Sequence, residues 1–72
     1  MKYKLGRCQL PKLRKSRGLT QQQLGDLVGM SRKRISDYER DRRSMSLETA
    51  ILISGALGCD VKELYELVEV DN

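Results

Sequence analysis

Between Leu19 and Glu39 the chain reads LTQQQLGDLVGMSRKRISDYE, and few folds are compatible with that spacing. Thr20 followed by Gln23 forms a capping box, with Leu19 and Leu24 placed as its hydrophobic staple. Ser31 repeats the device, stapled by Met30 and Ile35. Gly29 lies between them and supplies the positive φ that a tight turn after a helix demands. Two short helices, Gln21 to Val28 and Arg32 to about Arg40, therefore meet across one turn. Gly25, inside the first of them, costs about 1 kcal/mol of helix propensity relative to Ala, which close approach of the next helix would justify.

The rest of the chain reads as support. A first helix, approximately Gln9 to Arg17, tolerates Pro11 near its start and stops at Gly18. Ser46 caps a fourth, Leu47 to Leu57, with Met45 and Ala50 as a weaker staple and Glu48 in the first turn, where the helix dipole favours an acid. Asp60, with Glu63 at N3, caps a fifth, Val61 to about Val68. The predicted core draws on Leu10 and Leu13, then Leu24, Leu27 and Val28, then Ile35 and Tyr38. The apolar run Leu47, Ala50, Ile51, Ile53, Ser54, Leu57 supplies its floor, and Val61, Leu64, Tyr65 and Val68 close it. Met1 to Leu5 reads as a short extended arm. The expected fold is all-α, with five helices in one domain spanning residues 1–72 and a core of about 9–68.

At 72 residues the chain sits near the lower size at which a hydrophobic core suffices alone. Such a core leaves little space for an enclosed substrate pocket. With no His, no paired-carboxylate cleft and no phosphate-binding Gly loop, nothing assembles a catalytic set, so an enzyme is not expected. Cys8 and Cys59 lack CxxC spacing and have no His to complete a zinc set; they read as two reduced thiols, with no metal and no cofactor. No apolar run approaches the ~20 residues needed to span a bilayer, and MKYKLGRCQL is too polar for a signal peptide. The expected location is cytoplasmic, with no membrane partner.

Charge is sorted along the chain. Residues 1–18 hold seven Lys or Arg and no acid, whereas residues 44–72 hold one Lys against six acids. This asymmetry points the basic half toward an anionic partner, although a merely solubilising surface would look the same by composition. Spacing favours a nucleic acid. To read bases a small protein must place a rigid element in the major groove, and an α-helix fits there. A preceding helix held by a tight turn can back it and rest its own N-terminus against phosphate.

LRKSRGLTQQQLGDLVGMSRKRISDYE resembles the helix-turn-helix of the lambda-repressor-like group, the Cro and XRE-type regulators, and SLETAILISGALGCDVKEL resembles the two helices that complete their five-helix domain. The likeness rests on Arg14, Leu19-Thr20-Gln21, Leu24, Gly29, Ser31, Ile35, Glu39 and Ala56-Leu57-Gly58. Three departures stand out. Asp41 replaces a usual Gly after the recognition helix, Met45 replaces a frequent Pro, and Gly25 replaces a usual Ala. Asp tolerates left-handed backbone better than most residues.

The resemblance implies a sequence-specific transcriptional regulator, most simply a repressor occupying a palindromic operator as a homodimer, in a prokaryotic or phage cytoplasm at the nucleoid. Arg32, Lys33, Ser36 and Asp37, at the start and on the outer face of the third helix, are the expected base contacts. Arg or Lys suits guanine and an acid suits cytosine; phosphate contact is the alternative for Arg32 and Lys33. Gln21 and Ser31 are expected at phosphate, as are Arg40, Arg42 and Arg43, with Lys15 and Arg17 beside them. Arg14 and Glu39 are expected to form a partly buried structural ion pair, as in the resembled family. Leu67, Val68 and Val70 offer apolar surface for a dimer contact, with a frayed tail as the alternative. No small-molecule ligand is expected. A second reading keeps the fold but makes it a protein-interaction module for an antirepressor, toxin or polymerase subunit.

Overall fold

Each capping side chain read from the sequence holds a helix start in the computed structural model, which describes residues 2–71. Thr20 Oγ1 accepts from the Gln23 N–H at 3.0 Å while Gln23 Oε1 accepts from the Thr20 N–H at 2.9 Å, so the box is closed in both directions. Ser31 Oγ accepts from the Arg34 N–H and Ser46 Oγ from the Thr49 N–H, both at 3.1 Å. The resulting helices are α1 (Leu10–Ser16), α2 (Gln21–Val28), α3 (Arg32–Glu39) and α4 (Leu47–Leu57). Gly29 ends α2 in the left-handed region at φ 70°. Asp41 adopts the same region at φ 57°, taking the place of the missing glycine after α3.

The fifth helix is not there. Asp60 does cap a start, accepting from the Lys62 N–H at 3.0 Å, but the helix lasts one 3-10 turn, Val61–Leu64. The chain then extends as β2 (Tyr65–Val70), antiparallel to β1 (Lys2–Cys8). Among the described residues the fold is thus four α-helices with a two-stranded sheet, and the all-α, five-helix expectation is corrected. YELVEV explains the outcome, since its aromatic and β-branched residues favour a pleated surface over a helix. As a strand it also satisfies the backbone groups of β1, which otherwise has no partner strand. The extended arm read at the N-terminus is the first part of β1, except Met1, which lies outside the described residues.

Register pairs Leu5 with Leu67, Lys4 with Val68, Tyr3 with Glu69 and Lys2 with Val70; a bulge follows, and Cys8 pairs with Tyr65. The strand carrying Lys2, Lys4 and Arg7 thus lies beside the one carrying Glu66 and Glu69, which brings basic and acidic ends of the chain into one ribbon. At the bulge the Glu66 side chain lies over Gly6, where a Cβ would stand 2.8 Å from its Oε2, and accepts from the Arg7 N–H at 3.4 Å.

Leu10, Leu24, Ile35, Tyr38, Ile53 and Leu64 are fully buried at the centre, with Cys8, Ala50 and Leu57 around them. Three predicted core residues are outside: Leu27 is 61 % exposed, Leu47 72 % and Ile51 55 %. For Ile51 the reason is helical phase: Ala50, Ile53, Ser54 and Leu57 follow the i, i+3, i+4, i+7 stripe that faces the body, and Ile51 falls beside it. Leu47 shares the phase of that stripe but is the first residue of α4, and is exposed at the helix start. Both cysteines are free thiols, and burial raises the pKa of each, which suppresses the reactive thiolate. Among the described residues no helix is long and apolar enough to cross a membrane.

Candidate nucleic-acid interface

The geometry of α2 and α3 is set by the turn between them. The Gly29 N–H and the Met30 N–H both bond to the Gly25 carbonyl, the latter at 2.9 Å, and the Met30 carbonyl folds back over Gly25 so closely that a Cβ there would collide with it. Gly25 is therefore small to admit the backbone of the turn, a step earlier than the helix contact expected for it. The Ser31 cap then launches α3 with Ile35 and Tyr38 inward. What remains outward is the candidate reading face. Arg32 and Lys33 are exposed, and Ser36 and Asp37 are partly so.

Within that face Lys33 Nζ lies 3.4 Å from Asp37 Oδ2, one helical turn on, with the lysine side chain 87 % exposed. An exposed pair of this kind is worth a few tenths of a kcal/mol, so it orients both groups without committing either. Arg32 has no such carboxylate on its own helix turn. Arg34 differs again: its Nε donates to the Tyr38 hydroxyl at 2.8 Å and its guanidinium lies 5.8 Å from that ring's centroid. The third cation of the basic run is thus tied to a buried tyrosine.

Behind the reading face lies an ion pair. Arg14 on α1 donates from Nε to Glu39 Oε2 at 2.6 Å and from Nη2 to Glu39 Oε1 at 3.1 Å, while its Nη1 reaches the Leu19 carbonyl at 2.8 Å. These hydrogen bonds to Glu39 raise the pKa of the guanidinium, which stays charged. One bidentate pair therefore joins α1, the loop before α2 and the end of α3.

The residues expected at phosphate divide. Ser31 Oγ uses an acceptor position for its cap and keeps its O–H to donate. Gln21 Nε2 donates to Glu39 Oε1 at 3.1 Å, so its carboxamide belongs to the ion-pair network, and its backbone N–H, at the first position of α2, is what faces outward from the helix start. Arg17 is exposed and engaged within the fold: its Nε donates to the Leu57 carbonyl at 2.8 Å, at the end of α4. Lys15, Arg40, Arg42 and Arg43 are exposed. Arg42 is positioned by its backbone, whose N–H donates to the Asp37 carbonyl at 2.9 Å across the Asp41 turn. Of the three apolar residues expected at a dimer contact, the pleat puts Leu67 on one face of the ribbon with Leu5, and Val68 and Val70 on the other with Lys4 and Lys2.

The roles of Gln21 and Arg17 in bridging to Glu39 and to Leu57 were missed by sequence reasoning. The orphan carbonyls that end α4 signal a need for a donor, but nothing in local spacing points to Arg17, which is remote in sequence.

Comparison with known proteins agrees with this geometry. The model of the family described as Helix-turn-helix matches residues 12–64. An uncharacterized HTH-type transcriptional regulator derived from the SPbeta prophage, YopS of Bacillus subtilis (strain 168), is 36 % identical over 67 residues, covering 92 % of this chain and 90 % of that one. The immunity repressor protein of Bacillus phage phi105 is 44 % identical over 52 residues, 72 % of this chain but 36 % of the repressor, so the chain spans about a third of that relative. Among solved structures, the P22 c2 repressor in complex with synthetic operator 9T superposes with a TM-score of 0.73 at 32 % identity, over 78 % of this chain and 85 % of that one.

Proposed function

This chain belongs to the helix-turn-helix family of DNA-binding transcriptional regulators, and from that premise we propose that it is a repressor that occupies a palindromic operator as a homodimer, with α3 in the major groove. The observation that carries the reading is the outward face of α3, where Arg32 and Lys33 stand exposed on a helix capped by Ser31 and braced from behind by Arg14–Glu39. Arg32, Lys33, Ser36 and Asp37 meet base edges, with Arg32 and Lys33 specifying at least one guanine in each half-site. Ser31, the α2 N-terminus at Gln21, Arg40, Arg42, Arg43 and Lys15 hold phosphate and fix register. Arg17, engaged with Leu57, contributes its charge from farther back. The chain acts by binding and performs no catalysis.

Two copies are needed because one domain touches only a few base pairs, and a two-fold dimer doubles the site at half-sites about one helical turn apart. Repression follows from occupancy of DNA that polymerase would use. Selection of bound duplexes from a random pool tests the reading. A two-fold symmetric site with G·C pairs in each half is the expected product. Sequence-indifferent binding that simply fades with salt would refute it.

A further inference from the structure

The two faces of the β1–β2 ribbon are unlike. Leu5 and Leu67 are directly opposed in register and are 67 % and 69 % exposed, and the surface they form runs into a groove of about 310 Å³ lined by Leu5, Val61, Lys62, Tyr65 and Leu67. A two-stranded ribbon is marginal in water unless an apolar face is covered, and a contiguous apolar patch with a charged rim marks an interaction site.

We propose that this face is where a second copy of the chain docks, ribbon against ribbon, about a two-fold axis perpendicular to the strands. The argument for a second copy is the placement of charge on the face itself. Lys62 stands at the groove end, and Glu69, on the same side of the pleat as Leu67, stands at the far end. An axis across the ribbon reverses the ends. It brings Glu69 of each copy beside Lys62 of the other, and the exposed Leu67 of each over the groove between Val61 and Tyr65 of the other. The surface is thus complementary to itself, as an isologous interface requires. An axis along the strands would instead stack Lys62 on the side of Lys62 and leave Glu69 at the same end as its like. The inference rests on the two-fold reading above and assigns the contact to the Leu5/Leu67 face, leaving Val68 and Val70 on the outer side.

Sedimentation of the full chain without DNA tests it, with circular dichroism to verify that each variant keeps its helices. The wild type sediments as a dimer, and Leu67→Glu weakens it at least about a hundredfold. Lys62→Glu and Glu69→Lys, both exposed positions outside the core, each weaken it about tenfold, and the double exchange restores the dimer. The restoration keeps the test decisive if Leu67→Glu fails to fold. Leu47→Glu, on the exposed side of α4, leaves the dimer intact. A monomeric wild type, loss of the dimer through Leu47→Glu instead, or no recovery in the double exchange overturns the proposal. Because no DNA is present, a monomer that still selects a palindrome overturns the ribbon contact alone. A ribbon dimer that selects no palindrome upholds the contact and overturns the operator reading.

Discussion

Removing Glu39 tests how the helix-turn-helix is braced. Its carboxylate accepts from Arg14 Nε at 2.6 Å, Arg14 Nη2 at 3.1 Å and Gln21 Nε2 at 3.1 Å, and the two side chains of the ion pair are only 10 % and 6 % exposed. Glu39→Leu leaves the Arg14 charge buried with the Leu19 carbonyl as its remaining partner, at a cost of about 3–5 kcal/mol. A chain of 72 residues has roughly 4–11 kcal/mol of stability in total, so the substitution removes a large part of it and lowers the melting temperature by at least about 12 °C. The double variant Arg14→Met with Glu39→Leu removes both charges together and recovers most of the loss, falling short by about 1–2 kcal/mol for the undonated Leu19 carbonyl and for the Gln21 carboxamide, which loses its acceptor. Urea unfolding followed by circular dichroism, on wild type, both singles and the double, gives the coupling directly. Asp37→Asn is the internal contrast, because its partner Lys33 is 87 % exposed, and should change stability by under about 0.5 kcal/mol. If Glu39→Leu cost no more than Asp37→Asn, or the double variant lost the sum of the singles, the brace would not exist as described.

Arg32→Ala should relax preference at one base position in a selection experiment, whereas Arg43→Ala should weaken all sequences alike and reduce the salt slope by about one; identical behaviour would abolish the division into readers and clamps. Gly25→Ala places a methyl against the Met30 carbonyl and should cost about 1–3 kcal/mol in urea unfolding. Gly55→Ala meets open space on a helix and should stabilise by up to about 1 kcal/mol, so equal effects at the two glycines would contradict the packing described for the turn. Arg17→Ala should destabilise by about 1 kcal/mol while barely changing affinity for DNA; a large loss of affinity at unchanged melting temperature would return Arg17 to the phosphate contacts.

What the sequence makes legible is local. Thr20, Ser31, Ser46 and Asp60 announce helix starts because a cap is satisfied within three residues, and Gly29 announces a turn because φ belongs to one residue. The phase of α4 is less legible, since eleven residues rich in apolar side chains admit more than one inward stripe. The sheet is the least so. Val61 to Val70 has apolar residues at both helical and strand spacing, and the choice is made by β1, at the other end of the chain. The Arg14–Glu39 pair, implied by resemblance, is present as described, but the Gln21 bond to the same carboxylate depends on a third helix arriving in place.

The pairing of Lys2 with Val70 has a consequence for the order of assembly. The second, third and fourth helices each begin from their own side-chain cap, but the ribbon closes a loop that contains all four. Loop closure costs only about (3/2)RT ln n, so the span itself is a minor penalty; the delay arises because the ends have nothing to gain until the helices have brought them together. The ribbon should therefore be the last part to acquire protection from amide exchange during refolding and the first to open. Since Lys2 and Val70 are neighbours, a short flexible bridge between them should permit the backbone to be reopened at the exposed Asp41–Ser44 turn, giving a permuted chain in which the ribbon becomes a local hairpin and forms early.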